Sequence, residues 1–465
     1  MPSPYSTLER STILPASAED SFAWHERPGA IERLWPPWEQ MQVLEQSGGI
    51  KDGGRAVFRV RAGPASFRWV ARHRDYVPHL QFTDEQVEGP FSHWTHLHRF
   101  EPAGEHACSL TDRVEYRAPF GILGSAAAPW LVRPRLERMF DYRHTLLRDD
   151  LAAHAGFPGD RLHIAVTGAS GLLGSSLIPF LTTGGHRVTR LVRGAPREGE
   201  VRWDPAGGQV DAAKLEGVDG VVHLAGENVG ARWTRERKRR IRASRTDGTR
   251  ILAETLARLR RPPRVLVSAS AIGVYGDRGD EILTEMSSPL DAPSDFLVDV
   301  GREWEAATEP ARAAGIRVVL LRFGIILTPA GGALGRMLPA FRLGGGGPLG
   351  SGDQWMSWVA IDDAVGAVHH ALVNDPLSGP VNATAPEPVT NREFAATLGR
   401  VLGRPALVRV PGAALRLAFG EMADVALLGS QRVIPRQLVE AGYRHRHPAL
   451  EGALRFLLGR QAAAP

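Results

Sequence analysis

The sequence predicts an α/β fold with a doubly wound parallel sheet, preceded by an α+β region. From Arg161 onward, apolar strands alternate with helical segments, which is typical of a parallel sheet with crossover helices. A glycine-rich turn follows the first of these strands. Before Ala155, segments with a period of two precede one long amphipathic stretch, which indicates a strand meander followed by a helix.

Length and composition limit the classes of protein that fit. A chain of 465 residues is longer than one hydrophobic core of about 250–300 residues supports, so we expect at least two domains. The hydrophobic fraction of 43% and the charged fraction of 23% exclude a mostly disordered or fibrous chain. Cys108 is the only cysteine, which excludes an intramolecular disulfide and a cysteine-rich metal site.

The charge pattern and the N-terminal segment bear on partners and location. The net charge is +5, and the basic residues are mostly spread along the chain, so we predict no nucleic-acid partner. No basic stretch followed by an apolar one opens the sequence, so we expect no signal peptide and a cytoplasmic location. The longest uncharged run, Leu162–His186, contains Gly, Pro and His, so we predict no membrane span.

The region before Ala155 is predicted to contain strands, two short helices and a long closing helix. The helical spacing of apolar residues from Trp130 to Leu151 predicts the long helix. The two short helices are expected at Ala18–His25 and Gly29–Leu34. The strands are expected at Tyr5–Ile13, Arg55–Val60, Phe67–His73, Phe91–Phe100 and Ser109–Arg117.

The region after Arg161 is predicted to alternate strands and helices. Clustered Gly and Pro in Ala155–Gly159 mark the boundary. The expected strands are Leu162–Thr167, Arg187–Val192, Gly220–Leu224, Arg264–Ser268 and Arg317–Phe323. The expected helices are Gly171–Thr182, Arg235–Leu259, Asp299–Ala314 and Asp362–Leu372, with a further helix that begins at a capping box of Thr390 and Glu393.

The glycine-rich turn Thr167–Gly174 is the strongest functional signal. Between a strand and a helix, such a turn is typical of dinucleotide binding, because backbone N–H groups at a helix N-terminus can bind a pyrophosphate. We expect Gly168 to permit the tight turn, Gly171 the approach of the phosphates, and Gly174 close packing of helix on strand. The predicted cofactor contacts in the turn are Thr167, Gly168, Ser170, Gly171, Leu172, Leu173 and Gly174.

The end of the second strand indicates which dinucleotide binds. Arg193 stands where an acidic residue would bind the ribose 2′-hydroxyl of NAD. A guanidinium suits the 2′-phosphate, so we expect NADP(H) as the cofactor, with NAD(H) less favoured. The alternative is a solvated arginine in an arginine-rich chain. The other predicted cofactor contacts are Leu224, Ala225, Gly226, Arg245 and Ser268.

These segments resemble the epimerase family proteins, an atypical branch of the extended short-chain dehydrogenase/reductase superfamily. The resemblance covers about Arg161 to Leu458, and it includes a C-terminal domain of unknown function. The segments that carry it are Thr167–Gly174, His223–Asn228, Ser268–Ser270, Val274–Gly276, Gly350–Trp358, Gly379–Pro386 and Gly420–Val433. Residues 1–155 resemble a START-like (SRPBCC) helix-grip domain, a fold that encloses an apolar ligand cavity.

Three domains are expected from this resemblance. Residues 1–155 would form the helix-grip domain, and residues 161–385 the NADP-binding Rossmann domain with its substrate-binding segments. Residues 386–465 would form a small C-terminal domain that completes the substrate side.

The resemblance implies hydride transfer with a Ser, a Tyr and a Lys, the last two spaced Tyr-x-x-x-Lys. No lysine follows Lys238, and the corresponding segment Ser294–Arg302 contains neither a tyrosine nor a lysine. We therefore predict other catalytic residues. Ser270 matches the superfamily's serine, Tyr275 is a substitute acid, and Glu227 is a candidate for proton transfer or substrate binding. Loop packing for Tyr275 and structural hydrogen bonding for Glu227 are the alternatives.

The N-terminal region contains a histidine cluster, His93, His96 and His98. On a strand His96 and His98 share a face while His93 points away, so a metal site would need a carboxylate from elsewhere. We predict no metal ion, and we expect the neighbouring aromatic residues to line the core or a cavity for an apolar ligand.

Together these observations favour an NADP(H)-dependent oxidoreductase or epimerase-like enzyme that acts on an unknown small molecule without the Tyr-x-x-x-Lys pair. The first alternative is a non-catalytic NADP(H)-binding sensor or a carrier of a hydrophobic ligand, which the missing lysine favours. A third hypothesis is that residues 1–155 deliver a hydrophobic substrate to the reductase. No feature of the sequence indicates the oligomeric state.

Overall fold

The computed structural model describes residues 5–62, 65–118, 130, 132–157 and 159–460. The chain divides into two compact units, and each has its own apolar core. The first unit comprises Met1–Gly159, Thr182–Gly185 and Phe456–Pro465, and the second comprises Asp160–Leu181 and His186–Arg455. The outermost residues of the predicted first and last domains, 1–4 and 461–465, lie outside the described residues, as does Pro158 at the predicted boundary.

A seven-stranded antiparallel sheet forms the framework of the first unit, in the order β1-β7-β6-β5-β4-β3-β2. Its strands are β1 (Ser6–Leu14), β2 (Gln40–Ser47), β3 (Arg55–Ala62), β4 (Ala65–Val77), β5 (Gln81–Glu88), β6 (His93–Gly104) and β7 (Ala107–Arg117). The helices of this unit are α1 (Ala18–Glu26), α2 (Ala30–Leu34) and α3 (Arg133–Ala155).

The long helix α3 packs on one face of this sheet. Alternate residues of β6 and β7 are buried, so Trp94 and Val114 lie in one apolar cluster with Phe140 of α3. This arrangement confirms the predicted helix-grip fold. Strands β2 and β5 were not predicted, because β2 is mostly exposed and β5 is mostly polar, so neither has a clear apolar alternation.

An eight-stranded sheet forms the framework of the second unit, in the order β11-β10-β9-β8-β12-β13-β15-β19. All neighbouring pairs are parallel except β10 and β11, which are antiparallel. The strands are β8 (His163–Thr167), β9 (Arg187–Val192), β10 (Glu200–Asp204), β11 (Gln209–Val210), β12 (Gly220–His223), β13 (Val265–Ala271), β15 (Arg317–Phe323) and β19 (Gly379–Ala383). This order confirms the predicted doubly wound sheet.

The helices that follow Asp160 flank this sheet or belong to the C-terminal segment. They are α4 (Gly174–Thr183), α5 (Arg235–Ala257), α6 (Phe296–Ala306), α7 (Glu309–Ala313), α8 (Gly332–Arg342), α9 (Ile361–Val373), α10 (Asn391–Leu402), α11 (Gly412–Phe419), α12 (Arg436–Glu440) and α13 (Leu450–Leu457). Short 3₁₀ helices are found at Ala212–Leu215, Ile272–Tyr275 and Pro289–Asp291, and a π-helix at Ala423–Leu427. Within the parts of the chain that the structure describes, no helix has the length and apolar character needed to cross a membrane.

N-terminal capping residues decide where two of the predicted helices begin. Thr390 and Glu393 form the predicted capping box at the start of α10. The single helix predicted for Asp299–Ala314 is instead two helices, α6 and α7, and α6 begins earlier because Asp295 caps the N–H groups of Leu297 and Val298.

The C-terminal segment up to Arg455 belongs to the same compact unit as the parallel sheet. Two small pairings join it to earlier parts of the unit, between β14 (Ile282–Leu283) and β21 (Arg432–Val433) and between β17 (Trp355–Met356) and β20 (Val389–Thr390). A third, between β16 (Ile325–Thr328) and β18 (Trp358–Ala360), lies before this segment in the chain. Asp363 adds a polar attachment, since its carboxylate accepts hydrogen bonds from the backbone N–H groups of Arg446 and His447 at 2.7 and 3.0 Å.

Candidate cofactor and active site

The glycine-rich turn connects the end of β8 to the start of α4. Gly168 has a φ of +67°, and a Cβ there would lie 2.7 Å from the carbonyl carbon of Leu224 and 2.9 Å from the amide nitrogen of Ala225. A Cβ on Gly174 would lie 2.3 Å from the Gly168 carbonyl oxygen. Both positions therefore require glycine for the fold itself. A Cβ on Gly171 would meet only the Gly168 oxygen, at 3.1 Å.

A buried polar chain joins the carboxyl ends of β8 and β12. The Oγ1 of Thr167 lies 2.8 Å from Nδ1 of His223, and Nε2 of His223 lies 2.9 Å from Oγ1 of Thr249. The backbone N–H of Leu224 donates to the same Thr167 oxygen at 3.1 Å. Burial lowers the pKa of His223 to about 4, so this imidazole is neutral near pH 7. These hydrogen bonds connect β8 to β12, the two strands between which the crevice of a doubly wound sheet opens.

Two of the predicted cofactor residues are arginines with different surroundings. Arg193 is exposed just after β9, and its guanidinium has neither an ion pair nor a hydrogen bond with any described residue. Arg245 is partly buried, donates to the Glu227 carbonyl oxygen at 2.9 Å, and lies 4.9 Å from the ring centre of Trp304. Burial lowers the pKa of Arg245 to about 10, so it remains a cation at neutral pH.

The two predicted catalytic hydroxyls belong to a buried ion-pair network. Ser270 is 3% exposed, and its Oγ donates to Oε1 of Glu305 at 2.7 Å. Glu305 accepts two hydrogen bonds from Arg322, at 2.8 and 2.7 Å. Burial acts to lower the pKa of Arg322, but the hydrogen bonds and the charge of Glu305 outweigh it and raise that pKa. Ser270 is thus tied to a fixed internal charge pair.

Tyr275 stands at the other end of this network. Its side chain is fully buried, its hydroxyl accepts from Arg322 at 2.8 Å, and it donates to Oδ1 of Asn382 at 2.9 Å. Burial raises the pKa of Tyr275. The backbone N–H of Asn382 in turn donates to Glu285 at 2.9 Å, and burial raises the pKa of that carboxyl. The structure therefore brings Ser270 and Tyr275 into one network through Arg322.

Glu227 differs from both hydroxyl residues. Its backbone N–H donates to the Ser244 hydroxyl at 2.9 Å, which holds the segment after β12 against α5. Its side chain remains 34% exposed, and one carboxylate oxygen lies 4.0 Å from Nε of Arg240. Among the three predicted catalytic residues, Glu227 has the most exposed side chain. Ser268, a predicted cofactor contact, is fully buried in β13.

Sequence reasoning missed Glu305, Arg322 and Asn382. Arg322 had a detectable signal, because a charged residue inside the otherwise apolar β15 must find a partner when the strand is buried. Glu305 and Asn382 lie in distant elements, α6 and β19, so their pairing depends on the tertiary fold.

Three family models match separate parts of the chain. The model of the NAD dependent epimerase/dehydratase family matches residues 164–383. A polyketide cyclase/dehydrase and lipid transport model matches residues 14–142, and the DUF1731 domain of unknown function matches residues 410–457.

Curated relatives share the second part of the chain. An epimerase family protein of Mycobacterium bovis, Mb2239, is 43% identical over 295 residues, which cover 63% of this chain and 96% of that protein. The epimerase family protein YfhF of Bacillus subtilis is 37% identical, over 64% of this chain and 98% of that protein.

Solved structures similar to this chain include one from Corynebacterium glutamicum and one from human. A nucleoside-diphosphate sugar epimerase from Corynebacterium glutamicum has a TM-score of 0.80 and 35% identity, and the match covers 98% of this chain and 91% of that one. The human epimerase family protein SDR39U1, solved with NADPH, has a TM-score of 0.59 and 34% identity over 64% of this chain and 99% of that one.

Proposed function

Because this chain belongs to the epimerase family proteins, we propose that it is an NADP(H)-dependent oxidoreductase or epimerase-like enzyme acting on a small-molecule substrate. The observation that carries the proposal is the glycine turn between β8 and α4, at the carboxyl edge where a doubly wound sheet binds its nucleotide. The NADPH in the similar human structure supports the choice of cofactor.

The residues of the turn fit a dinucleotide. Packing explains Gly168 and Gly174, whereas Gly171 has only one neighbouring atom that a Cβ would meet, so its lack of a side chain is suited to the approach of a pyrophosphate. We propose that the whole turn, with Ser170, Leu172 and Leu173, contributes to this cradle.

Arg193 is the proposed residue for the 2′-phosphate. Its guanidinium is free at the end of β9, next to the strand that carries the turn. Arg245 supports the crevice at the end of β12, because it donates a hydrogen bond to the Glu227 carbonyl oxygen and packs near Gly226. We further propose that Leu224 and Ala225 line the nucleotide crevice, and that Ser268, fully buried in β13, supports it without touching the nucleotide.

NADP(H), when bound, would supply or accept the hydride. A proton must move with the hydride, and we assign its transfer to Glu227: the carboxyl form would donate the proton when a carbonyl is reduced, and the carboxylate would accept it when an alcohol is oxidised. The hydroxyl protons of Ser270 and Tyr275 are already donated to Glu305 and Asn382, whereas the Glu227 carboxylate is accessible. In this proposal Ser270 and Tyr275 hold the wall of the crevice in place through the Arg322 network.

Single-turnover oxidation tests the enzyme proposal. Protein loaded with NADPH is mixed with a panel of aldehydes, ketones and keto-sugars, and the absorbance of NADPH is followed. We expect oxidation with at least one carbonyl class, and a loss of about 100-fold or more in rate for Glu227→Gln, with NADPH affinity unchanged. Full activity in Glu227→Gln would contradict the assignment of the proton to Glu227.

A non-catalytic NADP(H)-binding sensor is the second candidate function. The observation that favours it is the engagement of both predicted catalytic hydroxyls by internal partners, together with the missing Tyr-x-x-x-Lys pair. Tight NADPH binding without oxidation by any member of the panel would favour the sensor over the enzyme.

A further inference from the structure

The first unit contains a buried cluster of carboxylates and imidazoles on three neighbouring strands. Asp84 of β5 is the cross-strand partner of His96 on β6, and Asp112 of β7 is the partner of His98. His144, on α3, completes the cluster from the helix side, 2.6 Å from Asp112. The cluster therefore lies on the face of the sheet that α3 covers.

Asp84, His96 and His98 present three donor atoms to one point. One donor atom of each residue lies within 4.8 Å of the other two. The Oδ2 atom of Asp84 lies 3.1 Å from Nδ1 of His96 and 3.3 Å from Nε2 of His98. A tetrahedral zinc site with bonds of about 2.0 Å has ligand atoms about 3.3 Å apart, so these spacings match two edges of such a site.

Asp112 stands on the opposite side of both imidazole rings. Its Oδ1 lies 3.0 Å from Nε2 of His96 and 2.7 Å from Nδ1 of His98, which are the ring atoms that do not face Asp84. In metal sites, a carboxylate commonly binds the second nitrogen of a ligating histidine and fixes the orientation of the ring. One carboxylate here is placed to orient two histidines in this way.

The two ring nitrogens of His98 face different carboxylates. Nδ1 lies 2.7 Å from Asp112, so Nε2, on the Asp84 side, is the atom available to an ion. The side chains of His96 and His98 are only 3% and 11% exposed, so the donor atoms are shielded from bulk water.

The surroundings of the cluster are partly apolar. Phe82 stacks on His98 with ring centres 4.2 Å apart, and Phe140 lies 5.2 Å from His96. Without an ion, Asp84 and Asp112 are paired with His96, His98 and His144. A divalent cation bound between Asp84 and the two imidazoles would replace the imidazole protons that face Asp84.

We propose that Asp84, His96 and His98 bind a divalent transition-metal ion of the zinc type, with Asp112 as the positioning carboxylate behind both histidines. Two imidazoles and a carboxylate suit such ions. Three protein ligands leave a fourth position for water or an oxygen-bearing ligand. The sequence alone did not predict this site, since neither carboxylate is near the histidines in the chain.

Titration of the metal-depleted full-length protein with Co²⁺ tests the proposal. We expect one equivalent to bind and to produce the intense visible absorption of tetrahedral Co²⁺, and Zn²⁺ to displace it with a matching stoichiometry. Asp84→Asn and His98→Gln should each abolish the absorption, and Asp112→Asn should weaken binding by about 10- to 100-fold. His93→Gln is the matched control, because His93 is on the same strand but on its opposite face. This variant should bind Co²⁺ as the unmodified protein does.

Two results would overturn the proposal. One is the absence of stoichiometric Co²⁺ and Zn²⁺ binding by the unmodified protein, which requires no variant to fold. The other is unchanged binding in a folded Asp84→Asn or His98→Gln variant, which would place the ion elsewhere. Circular dichroism of each variant separates a lost ligand from a lost fold.

Discussion

Arg193 has an exposed guanidinium that no described residue engages, at the strand end where a 2′-phosphate is expected. We predict that Arg193→Ala weakens NADPH binding by about 10- to 100-fold, because a hydrogen bond between charged groups contributes about 1.5–3 kcal/mol. NADH affinity should stay the same, since NADH lacks the phosphate. Isothermal titration calorimetry with both nucleotides measures the two effects.

Arg190 provides the matched control, because it is also an exposed arginine of β9. Arg190→Ala should change both affinities by less than about threefold, as expected for an uninvolved surface charge. Equal losses in the two variants would mean that the general positive charge of this edge, and not Arg193, attracts the nucleotide.

Gly168 is required by its backbone conformation and by its neighbours. Gly168→Ala places a Cβ at positive φ and within 2.9 Å of the Leu224–Ala225 peptide. We expect it to lower the free energy of unfolding by about 2–5 kcal/mol, as measured by urea denaturation. Gly194→Ala is the control, because its Cβ would meet no atom within 4 Å; a similar loss there would contradict the steric explanation.

The sequence predicted the role of Gly168 because a strand, a glycine turn and a helix form a local pattern. The partners of Ser270 could not be predicted in this way. Its hydroxyl binds Glu305, and that contact depends on how α6 packs against β13. Local patterns therefore identified the proposed cofactor residues, whereas the surroundings of the proposed catalytic residues required the tertiary structure.

At the scale of elements, the Arg322–Glu305 pair connects β15 to α6. Its side chains are 4% and 13% exposed. Glu305→Ala leaves a buried guanidinium uncompensated, and we expect a loss of about 3–5 kcal/mol in the free energy of unfolding. Urea denaturation followed by circular dichroism measures it.

The same helix supplies a control for this prediction. Glu303 pairs with Arg242 at 3.4 Å, but both side chains are 45% exposed. Glu303→Ala should therefore lower the free energy of unfolding by less than about 1 kcal/mol. If Glu305→Ala lowers it by no more than Glu303→Ala does, the network does not hold the wall of the crevice.

His223 connects β12 to both β8 and α5, and it makes the fold sensitive to acid. Its pKa is about 4 in the fold and about 6.5 in an unfolded chain, so the folded state disfavours the proton. The difference between the two pKa values makes the free energy of unfolding depend on pH. About 3 kcal/mol of that free energy is present above pH 6.5 and is lost as the pH falls towards 4.

We predict that His223→Gln reduces the dependence of unfolding free energy on pH between 6.5 and 4. Urea denaturation at several pH values compares it with the unmodified protein. His106→Gln is the control, since its side chain is 89% exposed. An identical pH dependence in His223→Gln and the unmodified protein would show that burial of His223 does not couple folding to protonation.

Whether a strand could be predicted from the sequence depended on how long and how apolar it is. The largely buried β8 and the fully buried β12 were identified with small differences at their ends. Strands β10 and β11 were missed, because β10 is short and mixes charged with apolar residues and β11 has only two residues. A sequence pattern with so few positions cannot distinguish a strand from a loop.

At the scale of the whole molecule, the chain combines two units with separate cores and separate proposed ligands. The fold class of each unit followed from recognisable sequence patterns, whereas the full order of strands in each sheet did not. The Asp84, Asp112 and histidine cluster did not, because antiparallel pairing brings together residues that are far apart in the chain. The chemistry of each unit therefore depends on the packing between its elements.

The relative affinity of the unmodified protein for NADPH and NADH tests the central proposal most directly. Both dissociation constants are measured by calorimetry on the full chain at one salt concentration. The proposed function predicts NADPH binding at least about 10-fold tighter than NADH binding, from the charged contact with the 2′-phosphate. Equal affinities, or no binding of either nucleotide, would contradict it.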